Sequence, residues 1–211
     1  MESYMTVRVG EGPCAEVVDR KSRFIAQLAH VESEQEAAAH LSAVRTRHYN
    51  ARHNVPAWVL ADGRERASDD GEPQRTGGMP TLEVLRGANM RDVSCVTTRY
   101  FGGTLLGTGG LVRAYTAAAQ AAVQAARDAG QLVEMTLVTP VELRVPYARY
   151  EQAVRMVEAT QGKVAGTDFT DEVALHLVFR AGDEQALLPA LSELLNGAPC
   201  VEVGPTSFSE F

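Results

Sequence analysis

Lysine is almost missing from this chain. Of its 20 basic side chains only Lys21 and Lys163 are lysine, and the other 18 are arginine. The planar arginine fork suits phosphate and carboxylate contacts, although a genomic composition bias would leave the same excess. Cysteine is sparse as well. Cys14, Cys95 and Cys200 lie far apart with no Cys-x-x-Cys pair, which excludes zinc-knuckle and dithiol motifs and suits a reducing cytosol. No run approaches the roughly 20 apolar residues of a membrane helix. The opening MESYMTVRVGEG also lacks the apolar segment of a secretory signal. The cytoplasm is therefore the expected compartment, with no membrane partner. There is no internal repeat, no His-Glu-x-x-His and no Gly-x-Ser-x-Gly.

What remains is globular. At 211 residues and 45% hydrophobic, the chain is too apolar for disorder and long enough for one or two domains. The net charge of −7 is unevenly placed. Residues 1–139 hold 15 basic and 16 acidic side chains, whereas residues 140–211 hold 5 and 11. The last third is thus a poor surface for nucleic acid, and any basic patch belongs to the first part.

Element patterns divide the chain at about residue 139. Tyr4–Val9 and Cys14–Val31 read as strands joined by the Gly10–Pro13 turn. Ser33 and Glu36 form a capping box for a helix to about His48. Val55–Ala61 is a strand, residues 62–80 a polar loop, and Pro80–Arg86 a short helix stopped by Gly87. Val93–Thr98 is a buried strand, and an alanine-rich helix runs from Gly109 to Asp128 with Gly130 past its end. Pro140 argues for a break in the run from Leu132 to Val145. Beyond it come a strand at Val141–Val145, a helix over Tyr147–Thr160 stopped by Gly162, strands at Lys163–Phe169 and Glu172–Arg180, a helix with Leu187, Leu191 and Leu194 on one face, and a strand at Cys200–Val203. That βαββαβ order is ferredoxin-like. The fold class is α+β in two domains, 1–139 and 140–211.

Three segments could carry chemistry. Between a strand and a helix, Arg99 to Tyr115 places Gly102, Gly103, Gly107, Gly109 and Gly110 within nine positions. Glycines let backbone N–H groups converge on an anion, and a helix start adds unpaired N–H groups. Arg99 and Arg113 would add charge-assisted contacts. The alternative is close packing of strand on helix. The segment is neither a P-loop, since position 108 is Thr, nor a dinucleotide fingerprint, since position 112 is Val.

Next, Ser68-Asp69-Asp70-Gly71-Glu72-Pro73 offers carboxylates for Mg²⁺, with Asp69 and Asp70 as candidates, or is simply turn chemistry. Last, Arg45, Arg47, Arg52, His53 and Asn54 follow a helix end, where cations complement the dipole or form an RNA-facing patch with Tyr49. No nucleophile or orienting carboxylate beside His53 can be read, so no catalytic residue and no cofactor is assigned. His176 and Trp58 read as structural.

Lys21-Ser22-Arg23-Phe24-Ile25-Ala26, His53-Asn54, Ser68 to Pro73 and Arg99 to Tyr115 together resemble the IMPACT/YigZ family, in particular its bacterial YigZ-type members. The resemblance covers about residues 21–115. It implies a first domain like the second domain of a small-subunit ribosomal protein and a second like a ferredoxin-like domain of elongation factor G. It implies a translation-linked or nucleic-acid-binding role without defined chemistry, and it adds Lys21 and Arg23 to the cleft. Eukaryotic relatives act on a starvation-responsive kinase pathway partly through an additional RWD domain. That domain is expected to be missing here, so the pathway role is not carried over. Three places depart from the family pattern: Val55 stands where Cys is common, Met79 stands where a cation is usual, and Val96-Thr97-Thr98 before Arg99 is more polar than usual.

The expectation is therefore a non-enzymatic binding protein that meets RNA, the ribosome or a translation-related protein through the first domain. Two alternatives stand beside it. One is an enzyme on a small phosphorylated substrate. The other is an adaptor using an open sheet face of the second domain, with Val138, Glu142, Arg144, Ala174 and His176.

Overall fold

A computed structural model describes residues 3–10, 12–195 and 200–211. Glu11 in the expected Gly10–Pro13 turn, and the side chains of Leu194 and Cys200, lie outside what it describes. The chain forms two compact units, Tyr4–Val133 and Glu134–Phe211, the latter taking in Ser3.

The first unit contains β1 (Ser3–Val7), β2 (Cys14–Asp19), β3 (Ser22–His30), α1 (Glu34–Arg47), β4 (His53–Val59), β5 (Glu65–Ala67), α2 (Gly78–Gly87), β6 (Val93–Tyr100) and α3 (Gly107–Asp128). Five strands form an antiparallel sheet in the order β2-β3-β6-β4-β5. β1 lies apart from these five and bridges in parallel from Met5 to Met90. Strand alternation sends Phe24, Ala26, Leu28, Val55, Ala57, Val93 and Cys95 into one core with Leu82, Leu85 and Tyr115. Buried alanines at 114, 118, 119, 122 and 126 let α3 lie close on that face. Under α1, Ala37 joins Val31, Trp58 and Leu60 in a smaller cluster. The first seven residues of β6 are all buried, so its polar side chains need partners: Ser94 Oγ meets His40 Nδ1 at 3.0 Å, and Thr98 Oγ1 donates to Asn54 Oδ1 at 2.7 Å.

Some local expectations change. The stretch 62–80 is not one loop, because β5 pairs with β4 through Ala57–Ala67 and α2 already starts at Gly78. The early start is possible because Pro80 falls in the first turn, where a missing N–H costs nothing. Gly87 is the last residue of α2, and the left-handed position falls on Asn89 at φ 51°. Half of the capping box forms: the Glu36 N–H donates to Ser33 Oγ, whereas the Glu36 carboxylate accepts from Glu32 N–H at 2.7 Å.

The second unit contains β7 (Leu132–Val145, its first two residues in the first unit), α4 (Tyr150–Ala159), β8 (Lys163–Phe169), β9 (Val173–Arg180), α5 (Leu187–Leu195), β10 (Cys200–Val203) and β11 (Ser207–Glu210). β10, β7, β9 and β8 lie side by side in that order, all antiparallel, which is the ferredoxin-like arrangement. Val141, Leu143, Val145, Val173, Leu175, Leu177 and Phe179 pack against Ala153, Val157, Leu187 and Leu191.

Pro140 does not break β7. Its carbonyl accepts from Gly204 N–H at 2.9 Å, on the side where the neighbouring chain passes from β10 to β11. The missing proline N–H faces that interruption, where no ladder bond is lost. Gln161, at φ 62°, takes the left-handed position after α4. Gly162 is needed for a different reason: a Cβ there would come within 2.3 Å of the Phe179 ring. Val138 is 3% exposed, so it does not belong to an open sheet face, whereas Arg144 and His176 are exposed.

Candidate nucleic-acid interface

The acidic loop between β5 and α2 acts as a three-point staple. Asp69 accepts from the N–H groups of Arg75, Gly77 and Gly78 at 2.7–3.0 Å, which caps α2. Burial raises its carboxyl pKa, but these backbone donors outweigh burial and hold it below the usual carboxylate range. Asp70 accepts from Arg45 and from Asn54 N–H, both at 2.6 Å, and its own carbonyl accepts from His53 at 2.7 Å. A carbonyl can only accept, so His53 Nδ1 carries the hydrogen. Glu72 is buried against Arg99 at 2.7 and 2.8 Å and accepts from Tyr115 Oη at 2.9 Å. Burial and the adjacent Glu72 charge push the Tyr115 hydroxyl pKa up.

These placements answer several expectations. Arg99 is inside, sandwiched by the rings of Phe24 and Phe101 at 5.4 and 5.7 Å, so it does not stand at the surface as an anion contact. Asn54 is buried on Thr98 and is part of the scaffold. Asp69 and Asp70 are occupied by backbone donors and arginine. Among the described residues no group of three or more His, Cys, Asp or Glu side chains is placed to hold a metal.

The glycine-rich segment has mixed roles. Gly102 packs on the β2–β3 turn so closely that a Cβ would meet Lys21 C at 2.1 Å, and its N–H donates to Ser22 Oγ. Gly103 and Gly107 have φ 87° and 71° and face open space. Gly107, Gly109 and Gly110 form the first turn of α3, which has neither a side-chain cap nor an acidic residue. Arg113 is exposed one turn on.

The Gly102 contact joins distant parts of the sequence. In the sheet, Arg23 pairs with Tyr100, and His53 pairs with Arg99. The start of β3, the end of β6 and the start of β4 therefore meet at one end of the sheet. Arg20, Lys21, Arg23 and Arg52 are exposed there. Arg20 and Lys21 form a two-residue hairpin turn at φ 44° and 66°, a conformation costly for side chains other than Gly, Asn or Asp. Arg45 and Arg47 arrive from the last turn of α1. Against these six cations stand Glu16, Asp19 and Asp70, which leaves +3. Glu16 is engaged by Arg23 at 2.8 Å, and Asp70 by Arg45.

A directed hydrogen-bond chain holds this end together. Arg47 can only donate, so Gln27 Oε1 accepts at 2.5 Å and Gln27 Nε2 faces His48 Nε2 at 3.2 Å. His48 Nε2 must then accept, and Nδ1–H donates to Tyr100 Oη at 2.9 Å. Tyr100 passes its own hydrogen to Asn50 Oδ1 at 3.2 Å. His48 is thereby neutral, and burial with Arg47 and Arg23 nearby lowers its pKa. Arg23 lies over the Tyr100 ring at 5.6 Å. The structure thus brings Lys21, Arg23, Arg45, Arg47, Arg52, His53 and Gly102 to one region. Of the residues that order it, His48 and Asn50 fall within the basic segment and Tyr100 beside Arg99, whereas Gln27 and the hydrogen-bonding role of all four are not read from the sequence. Alternation along β3 and β6 places Gln27 and Tyr100 on the same face, which was the available signal.

A helix-covered antiparallel sheet with a basic end, followed by a ferredoxin-like unit, defines a two-domain α+β protein. Residues 20–123 match the Impact N-terminal domain, and residues 143–198 match a domain of unknown function, DUF1949. The chain is 32% identical to the IMPACT family member YvyE of Bacillus subtilis, over all of this chain and 95% of YvyE. It is 34% identical to the IMPACT family member YigZ of Escherichia coli, over 85% of this chain and 88% of YigZ. A crystal structure described as that of a hypothetical protein is 32% identical, with a TM-score of 0.58 over 96% of this chain and 97% of that one. The chain belongs to the IMPACT family.

Proposed function

We propose that this protein is a translation-linked regulatory binding protein of the cytoplasm that contacts RNA, free or on the ribosome, through the basic end of its first unit. One observation carries the reading: three strand ends and the end of α1 gather Arg20, Lys21, Arg23, Arg47 and Arg52 at one end of the sheet, where Arg23 lies over the Tyr100 ring beside the close-packed Gly102. Cations around an aromatic ring are the chemistry of single-stranded RNA contact. The translation link comes from the family resemblance. Arg113 and the uncapped first turn of α3 extend the anion-binding surface. The reading as a Mg²⁺-dependent enzyme is less well supported, because the carboxylates it needs already hold α2, Arg45, Arg99 and Tyr115.

The test is an anisotropy titration of the full chain with a labelled mixed-sequence single-stranded RNA, beside a Lys21→Ala/Arg52→Ala variant. Neither side chain has an ion-pair partner among the described residues, so the fold is expected to be kept. Loss of about tenfold in affinity supports the reading. Unchanged affinity, or no binding by the parent chain at low salt, removes it.

A further inference from the structure

Across the outer surface of α2 and α3 runs an open groove of about 890 Å³, lined entirely by residues of the first unit. Met79, Val84, Ala88, Val112 and Val123 supply its apolar lining. The α3 side runs from Val112 to Arg127 at spacings of one to four residues, following one stripe of that helix. Val112 is 37% exposed, large for a valine that lines a groove.

The ends of the groove are basic. Gly77, at the entry to α2, lies against Tyr115, 3.3 Å from where a Cβ would sit, so neighbouring Arg75 stands near the first turns of α3. Arg127 lies twelve residues beyond Tyr115, about 18 Å along the helix at 1.5 Å per residue. Arg75 has no ion-pair partner among the described residues, and Arg127 reaches the neutral Gln124 at 3.1 Å. The one acid in the lining, Glu83, lies on α2 and pairs with Arg86, which it shares with Glu65, so Arg75 and Arg127 remain the cations at the two ends.

We propose that this groove docks an amphipathic helix of a partner protein, apolar along one stripe and carrying a carboxylate toward each end. Two helices already form the walls, and a third laid between them buries the apolar lining. Carboxylates about three turns apart reach Arg75 and Arg127, whereas a basic helix meets two unneutralised cations. An RNA strand would satisfy the cations and leave the apolar lining unburied. None of the groove's lining residues is among the cations of the basic sheet end.

The experiment titrates the full chain into a labelled helix-forming peptide with leucines at i, i+3, i+4 and i+7 and glutamates near both ends. A second peptide carries lysine in place of each glutamate. The blocking variant is Gly87→Phe. Gly87 lines the groove, and a Cβ there meets nothing within 4 Å, so a phenylalanine adds bulk at the lining without displacing the fold. A melting curve of that variant confirms that it folds. The proposal expects the acidic peptide to bind, the lysine peptide to bind about tenfold more weakly, and Gly87→Phe and Arg75→Ala/Arg127→Ala each to weaken the acidic peptide by about tenfold and fivefold. It is overturned if the acidic peptide does not bind, if both peptides bind equally, if a folded Gly87→Phe binds as the parent does, or if single-stranded RNA displaces the peptide competitively.

Discussion

Glu72 and Arg99 form an ion pair inside the first unit, 2.7 Å apart, with side chains 3% and 8% exposed. Twenty-seven residues separate them, and Tyr115 of α3 completes the group. The pair ties the acidic loop to β6 and α3 from within. Among the described residues Arg99 Nε has no partner, so the site is not fully satisfied, and replacing both charges by apolar groups should cost little. Single Glu72→Leu or Arg99→Met changes are expected to cost about 3–5 kcal/mol each, because either leaves a charge buried alone. The double variant should recover most of that loss. Urea unfolding of the three variants checks it, and additive losses would refute the pairing.

Asp69 should behave as a helix cap. Asp69→Ala is expected to lose about 1–2 kcal/mol of stability, with Asp69→Asn losing less. Mg²⁺ should leave the melting temperature of parent and variant unchanged. Stabilisation by Mg²⁺ that disappears in Asp69→Ala would restore the metal reading.

The glycine-rich segment separates packing from exposure. Gly102→Ala should disrupt the β2–β3 turn, since Lys21 backbone atoms occupy the new Cβ position. Gly109→Ala meets no protein atom closer than the Arg113 side chain at 3.6 Å, and it should keep or slightly raise stability through helix propensity. Thermal melts compare them. Equal losses would contradict the assigned packing role of Gly102.

His40 gives a pH signature. It is held against Ser94 under α1, and burial, with Arg47 adding to it, pushes its pKa down to about 4. Unfolded, it titrates near the ordinary value, so the unfolded chain binds more protons between about pH 6.5 and 4. Stability is therefore full above that range and falls as the pH drops through it, by up to about 3 kcal/mol. Replacing His40 by Asn should flatten that part of the urea-midpoint profile. A profile as steep as the parent's would place the effect elsewhere.

The second unit was largely legible because one face of its sheet is covered. Strict alternation at Val173, Leu175, Leu177 and Phe179 marks a strand without ambiguity, and it appears as expected. β5 and β11, at three and four residues, bury too little to leave a pattern. Cations of the candidate site were visible by type, whereas their partners were not. Asp69 caps a helix nine residues downstream, and Glu72 meets Arg99 across the fold. Such pairings depend on register and loop path, which periodicity does not encode. The same limit made Arg99 read as a surface contact.

A phosphate contact by the basic end of the sheet would show in the salt dependence of RNA affinity. Each single-strand phosphate contact contributes about 0.7 to the slope of log affinity against log salt. Removing Lys21 and Arg52 together should therefore lower that slope by about 1.4 while weakening binding at every salt concentration. A slope identical to that of the parent chain would contradict the account, because those cations would then not face the RNA.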